Sequence, residues 1–238
     1  MRVKNVPEML AGLLFPRRCP VCDRPVKPFG EYACTECIRK VRPISPPRCL
    51  KCGKKIRSES ALCTDCAGRK RYFDRGRILY EYDDAAGSVY RFKYSGRREY
   101  AESYARDTVR YLGDYIASEK PDVLVPIPIH RKRFRKRGYN QAFEYAEALS
   151  RLTDIPVRND IIKRVKNTIP LKLLGVSERQ INLKNAFIVP ENVVKLNKVM
   201  LVDDIFTTGA SINEAARVLK MAGVREVCFV TLAGGAGI

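Results

Sequence analysis

Apolar residues in the second half of the chain follow two periodicities, one typical of buried strands and one of helices. Continuous apolar runs predict four strands, at residues 77–82, 123–128, 198–202 and 226–232. Apolar positions three and four residues apart predict three helices, at residues 98–118, 140–152 and 211–221. Such alternation is typical of a parallel sheet covered on both faces by helices. We therefore predict an α/β fold for residues 71–238.

Residues 1–70 differ from the rest in being rich in Cys and Pro, and we predict that they form a separate N-terminal part. Its apolar stretch at residues 9–15 is short and lacks the small-residue cleavage site of a secretory signal. We expect an amphipathic helix there that packs on the protein or contacts the membrane. Because no apolar run reaches the ~18 residues of a spanning helix, the sequence predicts a cytoplasmic protein, free or peripheral at the inner face of the membrane.

The chain is strongly basic. Its 238 residues include 45 Lys and Arg against 26 Asp and Glu, which gives a formal net charge of +19. The hydrophobic fraction of 45% is enough for a core and excludes a disordered polyelectrolyte. An excess of positive charge indicates a polyanionic partner, which can be nucleic acid, a lipid surface or a phosphate-rich ligand.

Eight of the nine cysteines form four Cys-x-x-Cys pairs, and two such pairs complete a tetrahedral zinc site. Consecutive pairs predict two structural zinc ions, held by Cys19, Cys22, Cys34 and Cys37 and by Cys49, Cys52, Cys63 and Cys66. Interleaved pairs, first with third, are an alternative. A disulfide framework is disfavoured because no secretion signal is present. The ninth cysteine, Cys228, lies in an apolar run and is expected in the core.

A second candidate site follows the predicted strand at residues 198–202. Asp203 and Asp204 come first, and their carboxylates could hold sugar hydroxyls at the end of the strand. The small residues that follow could wrap a phosphate at the N-terminus of the next helix; they are Thr207, Thr208, Gly209, Ala210 and Ser211. The alternative is an ordinary strand-to-helix turn with Ser211 as N-cap.

Residues 199–211 resemble the phosphoribosyl-pyrophosphate (PRPP) motif of type I phosphoribosyltransferases. Four further features are similar to the ComF family of bacterial competence proteins. They are the cysteine-rich N-terminal part, Phe-Lys-Tyr-Ser-Gly-Arg at residues 92–97, Val-Pro-Ile-Pro at 125–128 before a basic run, and Arg-Gly-Tyr-Asn-Gln at 137–141. The resemblance covers essentially the whole chain. It implies a type I phosphoribosyltransferase fold behind an N-terminal double zinc ribbon.

The resemblance also implies roles for individual residues. Asp203 and Asp204 would hold the ribose 2′- and 3′-hydroxyls, and Thr207 to Ser211 would cradle the 5′-phosphate. The pyrophosphate loop would comprise Pro126, Ile127 and Pro128 and extend to His130. Because His130 is a single histidine beside six basic residues, we expect it to be a phosphate donor or a bystander, with a general base as the alternative. Magnesium would bind largely through oxygens of the ligand. An active enzyme would displace pyrophosphate from the anomeric carbon with a nitrogen nucleophile.

The sequence also departs from the family pattern. No hood, the variable segment that selects the base in these enzymes, is recognisable, and no glutaminase domain is present. Family members often carry Thr-Pro-Pro-Gln where this chain has Thr-Ile-Pro-Leu at residues 168–171. Leu171 therefore leaves base recognition and catalysis open, although Arg179 and Asn182 match the later part of that segment.

Six of the seven residues at 131–137 are basic. We expect either a solvated loop or a surface for pyrophosphate or single-stranded nucleic acid, with Tyr94, Phe134 and Tyr139 as candidates for base stacking. The candidate phosphate contacts are Lys93, Tyr94, Arg97, Arg131, Lys132, Arg133, Arg135 and Arg137.

The family resemblance implies binding of PRPP and single-stranded DNA during natural transformation, with other DNA-uptake proteins as further partners. The alternative is an active, amidophosphoribosyltransferase-like enzyme of nucleotide metabolism with an unknown nitrogen acceptor.

Overall fold

The computed structural model describes residues 16–28, 30–56, 60–166, 185–190 and 196–235. In chain order, its elements are α1 (Thr35–Ile38), α2 (Thr64–Ala67), β1 (Arg75–Glu81), α3 (Tyr82–Tyr94), α4 (Tyr100–Glu119), β2 (Val123–Pro126), α5 (Arg131–Arg137), α6 (Gln141–Thr153), β3 (Lys163–Arg164), β4 (Phe187–Ile188), β5 (Lys198–Phe206), α7 (Ala210–Met221) and β6 (Glu226–Gly234).

The central sheet has four strands in the order β1-β6-β5-β2, and all neighbouring pairs are parallel. Strands β3 and β4 form a separate antiparallel pair. Because β2 and β5 are neighbours, their carboxyl ends meet at one edge of the sheet, where ligands bind in folds of this kind. The Ile127 N–H donates to the Val202 carbonyl at 2.9 Å just beyond the end of β2.

Both faces of the sheet are covered, which confirms the predicted α/β architecture. On one face, Leu79, Leu124 and Met200 belong to a core cluster with buried residues of α3, α4 and α6. On the other face, alternate strand residues such as Val125 and Leu201 cluster with α7 and with the second group of cysteines. Cys228 is buried, as predicted.

Strand β5 is longer than predicted, since it continues through the two aspartates to Phe206. Strand β6 extends to Gly234 and supplies the pairing partners, with Asp203 opposite Thr231 and Phe206 opposite Gly234. The hydrogen-bonded neighbour, and not the local apolar pattern, therefore sets where β5 ends.

The basic segment is a helix, so the expectation of a loop is wrong. In α5 the His130 Nδ1 accepts from the Lys132 N–H at 3.2 Å, and Gly138 ends the helix with φ of +79°. No residue of α5 is buried. Apolar periodicity could not reveal the helix because this segment has no apolar face.

Several predictions fall outside the described residues: the N-terminal helix, the segment at 168–171, Arg179 and Asn182. The boundary at residue 70 stays a prediction. Among the described residues, no helix is long and apolar enough to cross a membrane.

Candidate phosphoribosyl site and basic rim

The eight paired cysteines gather into two tetrads, in the consecutive arrangement that the sequence favours; interleaved pairing is wrong. Within each tetrad the Sγ atoms lie within 4.8 Å of one another. Tetrahedral zinc with Zn–S bonds of about 2.3 Å would hold its sulfurs about 3.8 Å apart. Sγ distances are 4.0 Å for Cys22 and Cys34 and 3.7 Å for Cys52 and Cys63, so the geometry fits zinc.

The two tetrads differ in their surroundings. Cys22 and Cys34 of the first tetrad are partly exposed, and the apolar cluster around this tetrad is a small one that includes Val26. The second tetrad is buried throughout and shares the main core with Phe73 and Phe206. A metal in the second tetrad would therefore stabilise the α/β sheet directly.

Asp203 and Asp204 lie at the sheet edge where β2 also ends, and three cations from separate elements surround them. Lys93 Nζ, at the end of α3, lies 2.8 Å from Asp204 Oδ1, and the two side chains are only 16% and 13% exposed. Burial, followed by the charge of Asp204, raises the pKa of Asp203 to about 7, and the charges of Lys93 and Arg164 oppose this rise. The edge therefore places two carboxyl groups beside cations that could bind phosphate.

Arg164, on β3, is a candidate that the sequence analysis missed. Burial and the nearby charge of Arg133 lower the pKa of Arg164 to about 10, and the charge of Asp203 opposes this shift. Burial and the charge of Arg137 lower the pKa of Arg133, on α5, and the charge of Asp204 opposes this shift. In the sequence Arg164 belongs to no recognised motif, so nothing in the sequence indicates that it lies near Asp203.

The loop after β5 has the features of a phosphate cradle. The Thr208 hydroxyl oxygen is buried and has no hydrogen-bond partner. Gly209 has φ of +73°, and a Cβ there would lie 2.3 Å from the Phe206 ring. Gly209, not Ser211, is the N-cap of α7, so the simple turn with Ser211 as N-cap is wrong. An unpaired buried hydroxyl beside a helix N-terminus fits an anionic ligand.

The predicted pyrophosphate loop is held in place by the residue that caps α6. Pro126 pairs with Val202, and the Asn140 Nδ2 donates to the Ile127 carbonyl at 3.1 Å. Asn140 Oδ1 also accepts from the Ala142 N–H at 3.2 Å and so caps α6. The Arg-Gly-Tyr-Asn-Gln motif thus supports the loop through its asparagine.

Four further candidates have different environments. Arg97 pairs with Asp23 of the first ribbon, with Nε to Oδ1 at 2.9 Å, so its guanidinium holds that ribbon against the α/β part. Tyr139 is only 3% exposed and its hydroxyl donates to the Phe92 carbonyl, so its assignment as a stacking residue is wrong. Tyr94 and Phe134 are 49% and 51% exposed.

The exposed cations of α5 form the outer part of the candidate surface and are Arg131, Lys132, Arg135 and Lys136. Arg137 is partly buried and contacts Tyr94, to whose hydroxyl its Nη2 donates at 3.1 Å. We call α5 together with residues 90–94 at the end of α3 the basic rim.

Comparison with known proteins matches both parts of the chain. The double zinc ribbon domain family matches residues 10–67, and the phosphoribosyl transferase domain family matches residues 101–237. Competence protein F of Haemophilus influenzae is 34% identical over 171 residues, which cover 69% of this chain and 75% of that protein. The chain belongs to the ComF family. Its two tetrads and parallel sheet are the double zinc ribbon and phosphoribosyltransferase parts of that family.

Two further relatives have names that refer to competence or to DNA utilization. Competence protein ComFC of Bacillus subtilis is 33% identical over 174 residues, covering 70% of this chain and 69% of that protein. DNA utilization protein YhgH of Escherichia coli K12 is 30% identical over 142 residues, covering 58% and 62%. A purine phosphoribosyltransferase structure from Pyrococcus horikoshii matches with a TM-score of 0.34 and 15% identity over 55% of this chain and 82% of that one, too distant to bear on the site.

Proposed function

We propose that this ComF-family chain binds PRPP at the edge formed by β5 and β2, and single-stranded DNA on the basic rim, during DNA uptake in natural transformation. The observation that carries the proposal is the buried contact of Lys93 with Asp204, which joins the acidic pair to the rim. The names of its relatives support the role in competence. We expect it in the cytoplasm or at the inner face of the membrane, with other DNA-uptake proteins as partners.

At the ligand site, Asp203 and Asp204 would accept hydrogen bonds from the ribose hydroxyls. The unpaired Thr208 hydroxyl and the amides at the start of α7 would donate to the 5′-phosphate. Lys93, Arg133 and Arg164 carry the charge to neutralise pyrophosphate. Magnesium would be held mainly by pyrophosphate and ribose oxygens and would arrive with the ligand.

The ligand site is tested by titration calorimetry with PRPP and Mg²⁺. We expect binding by the natural protein and its loss in Asp203→Ala with Asp204→Ala, while circular dichroism shows that the sheet remains folded. Arg158→Ala is a matched surface control, because Arg158 pairs with exposed Asp160 at 2.7 Å. Failure of the natural protein to bind PRPP would contradict this half of the proposal.

The DNA site is tested by fluorescence anisotropy with a labelled single strand over a range of salt concentrations. Binding should weaken with salt because cations of α5 displace counterions from the strand. Replacing one α5 cation, as in Arg135→Ala, should reduce the salt slope by about 0.7. A protein that ignores single-stranded DNA at low salt would refute this half.

A second candidate function is catalysis of phosphoribosyl transfer from PRPP to a nitrogen acceptor. The observation that favours it is the raised pKa of Asp203, which lets a carboxyl of the proposed ligand site exchange a proton near neutral pH. In such a reaction the nitrogen forms a bond to the anomeric carbon as the bond to pyrophosphate breaks. Pyrophosphate release from PRPP in the presence of amines and bases measures it, and no release with any acceptor argues for binding alone.

A further inference from the structure

The most exposed aromatic side chains among the described residues belong to the two helices that form the basic rim. Tyr90 is 62% exposed, Phe134 51% and Tyr94 49%, and the next aromatic residue, Tyr111, is 39% exposed. Clustered exposed apolar surface on a soluble protein marks an interaction site more often than scattered residues do. Tyr90 has no place in the ligand site described above.

Tyr90 and Tyr94 form an ordered pair. They are one helical turn apart near the end of α3, and their ring centroids are 5.0 Å apart at 46°. The Arg137 guanidinium lies 4.9 Å from the Tyr94 centroid, besides its hydrogen bond to the Tyr94 hydroxyl. Tyr94 is therefore held in one orientation from α5, and Tyr90 is the more exposed member of the pair.

The charge around the pair indicates the chemistry of the partner. Helix α5 contains no acidic residue, presents four exposed cations and contacts the Tyr94 ring through Arg137. Protein–protein interfaces are enriched in aromatic residues and Arg but depleted of Lys, and two of the four exposed cations of α5 are Lys. Aromatic rings among cations instead suit a single strand, whose bases stack on the rings while its phosphates meet the cations.

We propose that Tyr90 and Tyr94 are a base-stacking step for two neighbouring bases of single-stranded DNA. The inference rests on the proposed DNA binding and adds the residue that holds the bases as distinct from the phosphates. Lys93, between the two tyrosines, contacts Asp204 at 2.8 Å. The DNA strand would therefore pass close to the entrance of the proposed phosphoribosyl site.

The test pairs a variant of the protein with a variant of the strand. Tyr90→Ala removes the ring without disturbing Arg137 or Lys93, Tyr90→Phe keeps the ring, and Tyr111→Ala removes an exposed tyrosine of α4 that lies, like Tyr94, near an arginine. Anisotropy is measured with a labelled thymidine oligonucleotide and with an abasic strand of the same length.

We expect Tyr90→Ala to weaken binding of the thymidine strand by about 5- to 150-fold, the range that corresponds to stacking of one base. The salt slope should not change, since no charge is removed. Tyr90→Phe and Tyr111→Ala should stay near the natural affinity. On the abasic strand, Tyr90→Ala and the natural protein should bind equally.

Two results would overturn the inference while leaving the proposed function intact. One is an unchanged affinity of Tyr90→Ala for the thymidine strand. The other is an equal loss on both strands, which would mean that the ring supports the fold of α3 instead of a base. If the natural protein bound neither strand, the proposed DNA binding and this inference would fail together.

Discussion

Replacing Asp203 by Asn should stabilise the ligand-free protein, and more so at alkaline pH. Burial and the charge of Asp204 raise the pKa of Asp203 from its ordinary 3.8 to about 7. Between these values the folded protein holds a proton that the unfolded chain has lost. The contribution of this carboxyl to stability is therefore complete below pH 3.8 and is lost as the pH rises through about 7.

The magnitude follows from the size of the shift. At about 1.4 kcal/mol per pKa unit, full ionisation of Asp203 costs the folded state up to about 4 kcal/mol near pH 8. Near pH 5 the unfolded chain is already ionised at this residue, and the corresponding cost is roughly 1.5 kcal/mol. We expect the gain in free energy of unfolding from Asp203→Asn to be larger near pH 8 by about 2–3 kcal/mol.

Urea unfolding followed by circular dichroism at both pH values measures this gain, with zinc present and PRPP absent. The control is Asp160→Asn. Arg158 lowers the pKa of exposed Asp160, so this acid is ionised at both pH values and its replacement should give no difference between them. An Asp203→Asn gain that does not change with pH, or a loss of stability near pH 8, would refute the reasoning.

Three further predictions concern the phosphate loop and the tetrads. Thr208→Val should raise the melting temperature of the ligand-free protein, because it removes an unpaired buried hydroxyl. The same variant should weaken PRPP binding by about 10- to 100-fold in calorimetry, and Thr208→Ser should bind like the natural protein. Gly209→Ala should cost about 2–4 kcal/mol in urea unfolding, because its Cβ would overlap the Phe206 ring and its φ is positive; an unchanged midpoint would contradict the described loop. Cys52→Ser should destabilise the sheet in thermal melts followed by circular dichroism, because the second tetrad shares the main core. Cys34→Ser, in the first tetrad, should leave the sheet close to its natural stability. Equal losses in the two variants would argue against this difference.

Much of the fold could be predicted from the sequence because its signals are local. Buried strands such as 198–202 are apolar runs, and α4 and α6 have an apolar face that recurs at the helical period. The cysteine tetrads follow from spacing, since two close pairs suffice for a metal site. The phosphate loop was predictable for the same reason: its acids, small residues and helix start are contiguous.

Only the tertiary structure brings Lys93 and Arg164 to the acidic pair, shows that α5 is helical and buries Tyr139 while exposing Tyr90. These features depend on contacts between residues far apart in the chain, and such contacts leave no period or spacing in the sequence. An exposed tyrosine and a buried one have the same local pattern. Their difference is decided by which helix packs against them. The sequence alone therefore determined the apolar strands, the amphipathic helices and the cysteine pairs, and the packing determined the basic rim.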